Sequence, residues 1–212
     1  MSLRNVTLLA IIGICYLFVS RTVGTLVPRL FVNLTAAQFN VVLSFLASLA
    51  AVAFFAYFYK DYVQEGKGRL RVASVLATIG ASGTSLLHAK GLSILFDPHA
   101  FPWLTRAHFI EPMIHWASSI LILVFFISLH QETRHQEETK LRGPALFAVI
   151  GSSITLLVRT FVLVNYLCFR EVRWFSDLAP ELIVVFMPII VFSFFASLYF
   201  FISFYRAQTE TD

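Results

Sequence analysis

The chain has 212 residues, 58% of them hydrophobic and 13% charged, with a formal net charge of +4 and a mean hydropathy of +0.78. Soluble domains carry nearer a quarter charged residues, so this composition argues against a soluble enzyme or binding module and for an all-α integral membrane protein. The basic surplus lies near helix ends, where membrane topology places it, and gives no reason to expect nucleic acid as a partner.

Crossing a bilayer takes about 20 mostly apolar residues, and the chain offers six such runs with little sequence between them. The expected fold is one domain, a six-transmembrane-helix bundle with short loops. The first helix is predicted over 5–31, interrupted by Arg21, Gly24 and Pro28. Its start has the basic-then-apolar order of a signal peptide but no small-x-small cleavage site, so it reads as a retained helix. The second covers 36–62, the third 70–95 and the fourth 107–132. The fifth is predicted over 144–169 and the sixth over 180–206, because Pro144 and Pro180 suit a first helical turn. Pro188 predicts a kink in the sixth. Cys15 and Cys168 have neither CxxC nor zinc spacing and read as buried, inert thiols.

With six spans, the termini share a side with loops 60–71 and 130–143. That side carries Arg4, Lys60, Lys67, Arg69, Arg71, Arg134, Lys140, Arg142 and Arg206, against Arg21, Arg29, Lys90, Arg106, Arg170 and Arg173 opposite. The excess predicts a cell-membrane protein with cytoplasmic termini. Trp103, Trp116 and Trp174 fall where an outer aromatic belt would lie.

There is also a sign of internal repetition. Ile79–Leu86 can be laid over Ile150–Leu157, and Ile12-Gly13 joins them more weakly. Eight residues after each glycine stands Arg21, His88 or Arg159. The even-numbered helices share only Phe-Phe pairs and Ala-Ser steps. Three pseudo-repeated helical hairpins would explain the pattern, and so would biased membrane composition.

The stretch 86–120 holds four of the six histidines. His108, Glu111 and His115 stand at i, i+3 and i+7, on one helical face, and His88 lies at a similar depth on the preceding helix. The remaining histidines read as ordinary interfacial residues. Arg159 shares a face with Ser152 and Thr155 far inside the fifth span, with Glu111 its expected partner. Ionisable groups there are costly and mark a site unless they form a structural pair. Arg21, Arg29, Lys90, Arg106 and Arg159 outnumber the nearby acids Asp97 and Glu111, which suits an anionic ligand.

Three functions fit these residues. The leading one is an outward-facing His/Glu/Arg pocket that binds or transports a small, anionic ligand. The second is a subunit of an electron-transfer complex, with His88 and His115 holding haem b or a transition metal and Gly80, Gly83 and Gly91 making room for a macrocycle. The third is a sensor or accessory subunit acting through helix contacts, in a homo-oligomer or beside a partner membrane subunit. No P-loop, GxSxG or Rossmann glycine pattern is present, so no enzyme is expected.

Overall fold

The computed structural model describes residues 2–26, 34–63, 68–96, 110–135, 139–169 and 174–209, and every element among them is helical. The helices are α1 (Leu3–Leu26), α2 (Leu34–Tyr57), α3 (Gly68–Phe96), α4 (Ile110–His135), α5 (Thr139–Phe169) and α6 (Trp174–Thr209). The last turn of α2 widens into a π-helical turn over Phe58–Tyr62. All six helices are long and apolar enough to cross a membrane. His99, Arg106 and His108, with Trp103, lie outside the described residues, as does the side chain of Arg21.

Two predicted boundaries move. α5 begins at Thr139, so Pro144 sits inside the helix rather than in its first turn, and Arg159 stands about two-thirds along instead of midway. α6 begins at Trp174 and stays helical through Pro180 and Pro188. Cys15 is a free, half-buried thiol rather than a buried one.

Each helix packs on the next in sequence, and α1 closes on α6, making a ring of six. Lipid tails are as apolar as leucine, so helices in a bilayer associate through close packing and hydrogen bonds rather than through exclusion of water. The odd-numbered helices meet this demand with small residues: Ala10 on α1, Ala73, Ala77 and Ala81 on α3, Ala145 and Ala148 on α5, all buried. Each also brings one glycine against its following helix. A Cβ at Gly13 would lie 3.0 Å from the Ala47 carbonyl, one at Gly80 would lie 3.0 Å from the Ser118 carbonyl, and one at Gly151 would lie 2.8 Å from Ala196 Cβ.

The even-numbered helices fill the axis with phenylalanine. Seven residues beyond Ala47, Ser118 and Ser193 come the pairs Phe54-Phe55, Phe125-Phe126 and Phe200-Phe201, all buried. The second ring of each pair meets the first ring of the next pair edge-on. Phe55 lies 5.0 Å from Phe125, Phe126 lies 5.0 Å from Phe200, and Phe201 lies 4.7 Å from Phe54, between ring centroids. Phe58, Leu129 and Phe204, all buried, follow three residues after the second ring. The Phe-Phe pairs that the sequence shows on the even-numbered helices thus form a closed layer of eight phenylalanines with Leu129.

That layer lies in the half of the bundle that carries the termini. Arginines flank it: the Arg71 guanidinium donates from Nε to Tyr59 Oη at 3.0 Å and sits 5.5 Å from that ring centre, and Arg4 sits 5.5 Å from the Tyr205 ring centre. Each cation thus lies over an aromatic face on the neighbouring even-numbered helix.

Serine and threonine inside the helices are satisfied by carbonyls one turn back, as at Thr7 to Leu3, Ser74 to Leu70 and Ser82 to Thr78. Hydroxyls in hydrocarbon need such partners. A few reach across helices. Ser85 donates to Ser48 Oγ at 3.0 Å between α3 and α2, and Ser193 donates to the Gly151 carbonyl at 2.6 Å between α6 and α5.

Candidate functional site

On α5 the buried stripe runs Leu141, Ala145, Ala148 and Ser152. Arg159 continues it, seven residues beyond Ser152, and is half-buried. The apolar face of the same helix is elsewhere: Ile150, Leu157 and Phe161 are exposed, Leu157 by 69%. At 100° per residue, position 159 falls on the side of the helix away from Leu157 and Phe161.

α3 repeats the arrangement. Leu70, Ser74, Ala77 and Ala81 are buried, and His88 stands seven residues beyond Ala81, half-buried, away from exposed Val72, Ile79 and Leu86. On α1, buried Thr7 and half-buried Ile14 lead at the same interval to the position of Arg21. Thus one heptad position reads Thr7, Ser74, Ala145, then Ile14, Ala81, Ser152, then Arg21, His88, Arg159. On α3 and α5 the stripe is small beside the phenylalanine layer and turns to half-buried His88 and Arg159 in the other half.

His88 Nδ1 lies 3.0 Å from the Thr84 carbonyl. A carbonyl only accepts, so this bond places the proton of a neutral ring on Nδ1 and makes Nε2 the basic atom. On α4, His115 stands three residues before buried Ser118 and seven before Ile122, which packs on the core. His88 and His115 therefore occupy neighbouring helices, both half-buried.

Glu111 lies in the first turn of α4, 53% exposed, rather than deep inside a span. A carboxylate at a helix N-terminus is favourably placed against the dipole. Its described ion pair is with Lys90 across the α3–α4 interface, at 3.6 Å. Both are candidate site residues in the sequence reading. A pair this exposed contributes little: the double-mutant coupling of Lys90→Ala and Glu111→Ala should be about 0.5 kcal/mol and shrink in high salt. Chemical unfolding of the four proteins of the cycle measures it, and a coupling of several kcal/mol would contradict the exposed placement.

Further polar residues line the same half; the sequence reading named Thr155 and Trp116 among them but not Tyr16, Ser20, Asn40, Thr160 or Ser193. Asn40 Oδ1 accepts from Tyr16 Oη at 2.8 Å and from Ser20 Oγ, joining α1 to α2. Trp116 Nε1 donates to Thr160 Oγ1 at 3.0 Å, joining α4 to α5. Thr155 and Ser193 hydroxyls lie 2.6 Å apart between α5 and α6. Register was the available signal for Asn40. It precedes Ala47 by seven residues, as Glu111 precedes Ser118.

At the opposite end, His130 Nδ1 is buried with no hydrogen-bond partner among the described residues. It follows Leu129 as Tyr59 follows Phe58 and Tyr205 follows Phe204.

Of the glycines expected to make room for a macrocycle, Gly80 and Gly83 are taken up by helix packing, whereas Gly91 has only an ordinary contact. Cβ atoms at Gly80 and Gly83 would meet Ser118 and its neighbours on α4, and one at Gly91 would meet Val41 on α2. Among the described residues no three His, Cys, Asp or Glu side chains converge. A groove of about 450 Å³ on the outer surface of α3 and α4, lined by Arg69, Val72, Leu76 and Val124 among others, contains none of the site residues. No protein-family model, curated protein or solved structure matches this chain.

Proposed function

We propose that the chain is three copies of one helical hairpin about a central axis, closed by phenylalanine at the end bearing the termini and open at the other into a polar chamber. The chamber binds or carries a small anionic ligand. The observation that carries this reading is the heptad stripe that is buried and small at Ala81 and Ser152 and becomes His88 and Arg159 one heptad further on. An arginine facing lipid at depth costs at least ~2.5 kcal/mol, and a packed interface would not need one.

The larger share of lysine and arginine at the phenylalanine end supports cytoplasmic termini in a cell membrane, with the chamber facing outward. The haem reading draws on the His88 Nδ1 bond, which is the orientation metal-bound histidines take, and the close packing of Gly80 and Gly83 on α4 weighs against it. The proposed partners are the bilayer and the ligand, with self-association or a second membrane subunit a matter for direct measurement.

Calorimetric titration of the purified, lipid-embedded protein with acetate, sulfate and phosphate tests the reading. At least one anion should bind, and Arg159→Gln should weaken it at least tenfold while leaving the thermal unfolding midpoint within a few degrees. Binding of no anion, or binding indifferent to Arg159, would count against it.

A further inference from the structure

We propose that the groove on the outer surface of α3 and α4 holds one anionic phospholipid of the leaflet on the side of the termini, with its phosphate on Arg69 and one acyl chain along the groove. The proposal rests on the bilayer-spanning reading and is independent of the anion chamber.

The groove, of about 450 Å³, has the size of a ligand pocket. On α3, Arg69, Val72, Ala73 and Leu76 line it at i, i+3, i+4 and i+7, so they share one helical face. On α4, Val124 and Ser128 line it one turn apart. Buried Ala73 makes the floor, and exposed Val72 and Val124 make the rims. The Ser128 hydroxyl donates to the Val124 carbonyl, so it leaves no unmet donor among the apolar side chains. From Arg69 to Leu76 the stripe is about 10 Å long. The candidate span of α3 begins at Gly68, which sets Arg69 at headgroup level and Leu76 among the acyl chains.

The internal repeat explains why the groove lies here. In the α5–α6 hairpin the positions matching Leu76 and Val124 are Phe147 and Tyr199, whose rings pack edge-on with centroids 5.7 Å apart. There the protein fills the crevice with its own rings. Between α3 and α4 the smaller pair leaves it open, and unfilled space forfeits dispersion contacts that a hydrocarbon chain restores.

Charge selects the headgroup. Arg69 is exposed and stands in the first turn of α3, which contains no acid. A cation there faces the positive end of the helix dipole, so an anion beside it relieves both. Among the described residues no ion pair or hydrogen bond engages its guanidinium. Arg71 and Arg134 are also exposed at this end, and Glu132, one turn beyond Ser128, already takes part in an interaction of its own. An apolar slot capped by a guanidinium complements a lipid that carries a phosphodiester and no cation.

The full chain in detergent micelles, titrated with dioctanoyl phosphatidylglycerol and with dioctanoyl phosphatidylcholine and read by native mass spectrometry, gives the test. The wild type should prefer phosphatidylglycerol by about fivefold, the weight of one basic residue beside anionic lipid. Arg69→Gln should abolish the preference, while Lys140→Gln, at the matching position of α5, should keep it. Leu76→Trp fills the slot and should abolish it too; should that variant fail to fold, Val72→Trp on the exposed rim should do the same. Equal binding of the two lipids, a preference that survives Arg69→Gln, or one lost equally in Lys140→Gln would overturn the proposal. Dimers that Leu76→Trp dissolves, without any lipid preference, would give the groove to a second copy of the chain instead. None of these variants alters the heptad stripe of the chamber, so titrations with small anions succeed or fail separately.

Discussion

Gly151→Ala should destabilise the bundle by about 2 kcal/mol, the ordinary cost of overpacking a filled interface. The added Cβ would stand 2.8 Å from Ala196 Cβ and 3.0 Å from the Ser193 carbonyl. Neither neighbour has a rotamer to change, so α5 and α6 must separate. Separation also stretches the 2.6 Å bond from Ser193 Oγ to the Gly151 carbonyl. The control is Gly143→Ala on the same helix, where nothing beyond its chain neighbours lies within 4 Å. There the gain from losing glycine's backbone freedom is opposed by the clash of the new Cβ with the Pro144 ring, so the net change should stay within roughly 1 kcal/mol. Unfolding in mixed micelles should therefore give a clearly larger loss for Gly151→Ala. Equal effects would mean that α5 and α6 do not approach as closely as described.

Phe125→Ala should cost about 2–3 kcal/mol. In a water-soluble core, removing such a ring costs ~3–5 kcal/mol, part transfer and part cavity. Between membrane helices the transfer part is small, and the cavity part remains. Phe125 is wholly buried and touches Phe55, Phe58 and Phe126 within about 5 Å, so its loss opens the axis between α2 and α4. The exposed Phe195 on α6 is the comparison, and its alanine variant should lose well under 1 kcal/mol. The same micelle unfolding measures both, and similar losses would remove the closed aromatic layer.

The six helices were legible because each carries a run long and apolar enough to cross a bilayer. Their limits were less so. Proline suggested a start at residue 144, yet the helix accommodates Pro144 and begins at Thr139. The similarity among the odd-numbered helices is more extensive on the other side of each glycine. Matching forward from Ile79-Gly80 enters the half where the copies differ in chemistry, whereas backward from each glycine the chain reads LRNVTLLAIIG, LRVASVLATIG and LRGPALFAVIG, with Leu, Arg, Ala, Ile and Gly in the same places. The shared half is the one that packs, so its residues are held to small or aromatic types. The inward register of Arg159 and His88 follows from that heptad and could be read in advance. The Lys90–Glu111 pair could not, because long exposed side chains choose partners by proximity across one interface rather than by pattern.

The central claim is an axis open from the outer end and sealed by phenylalanine near the termini. Cysteine accessibility measures this directly, in a Cys15→Ser, Cys168→Ser background, with a membrane-impermeant thiol reagent applied to each side in turn. Ser44→Cys and Thr84→Cys, in the outer half, should label from outside and be protected by a bound anion. Ala77→Cys and Leu129→Cys, beside the aromatic rings, should label from neither side. Gly68→Cys, exposed at the terminal end, should label only from the cytoplasm. Labelling of Ala77→Cys or Leu129→Cys from the cytoplasm, with Ser44→Cys and Thr84→Cys silent from outside, would contradict the account.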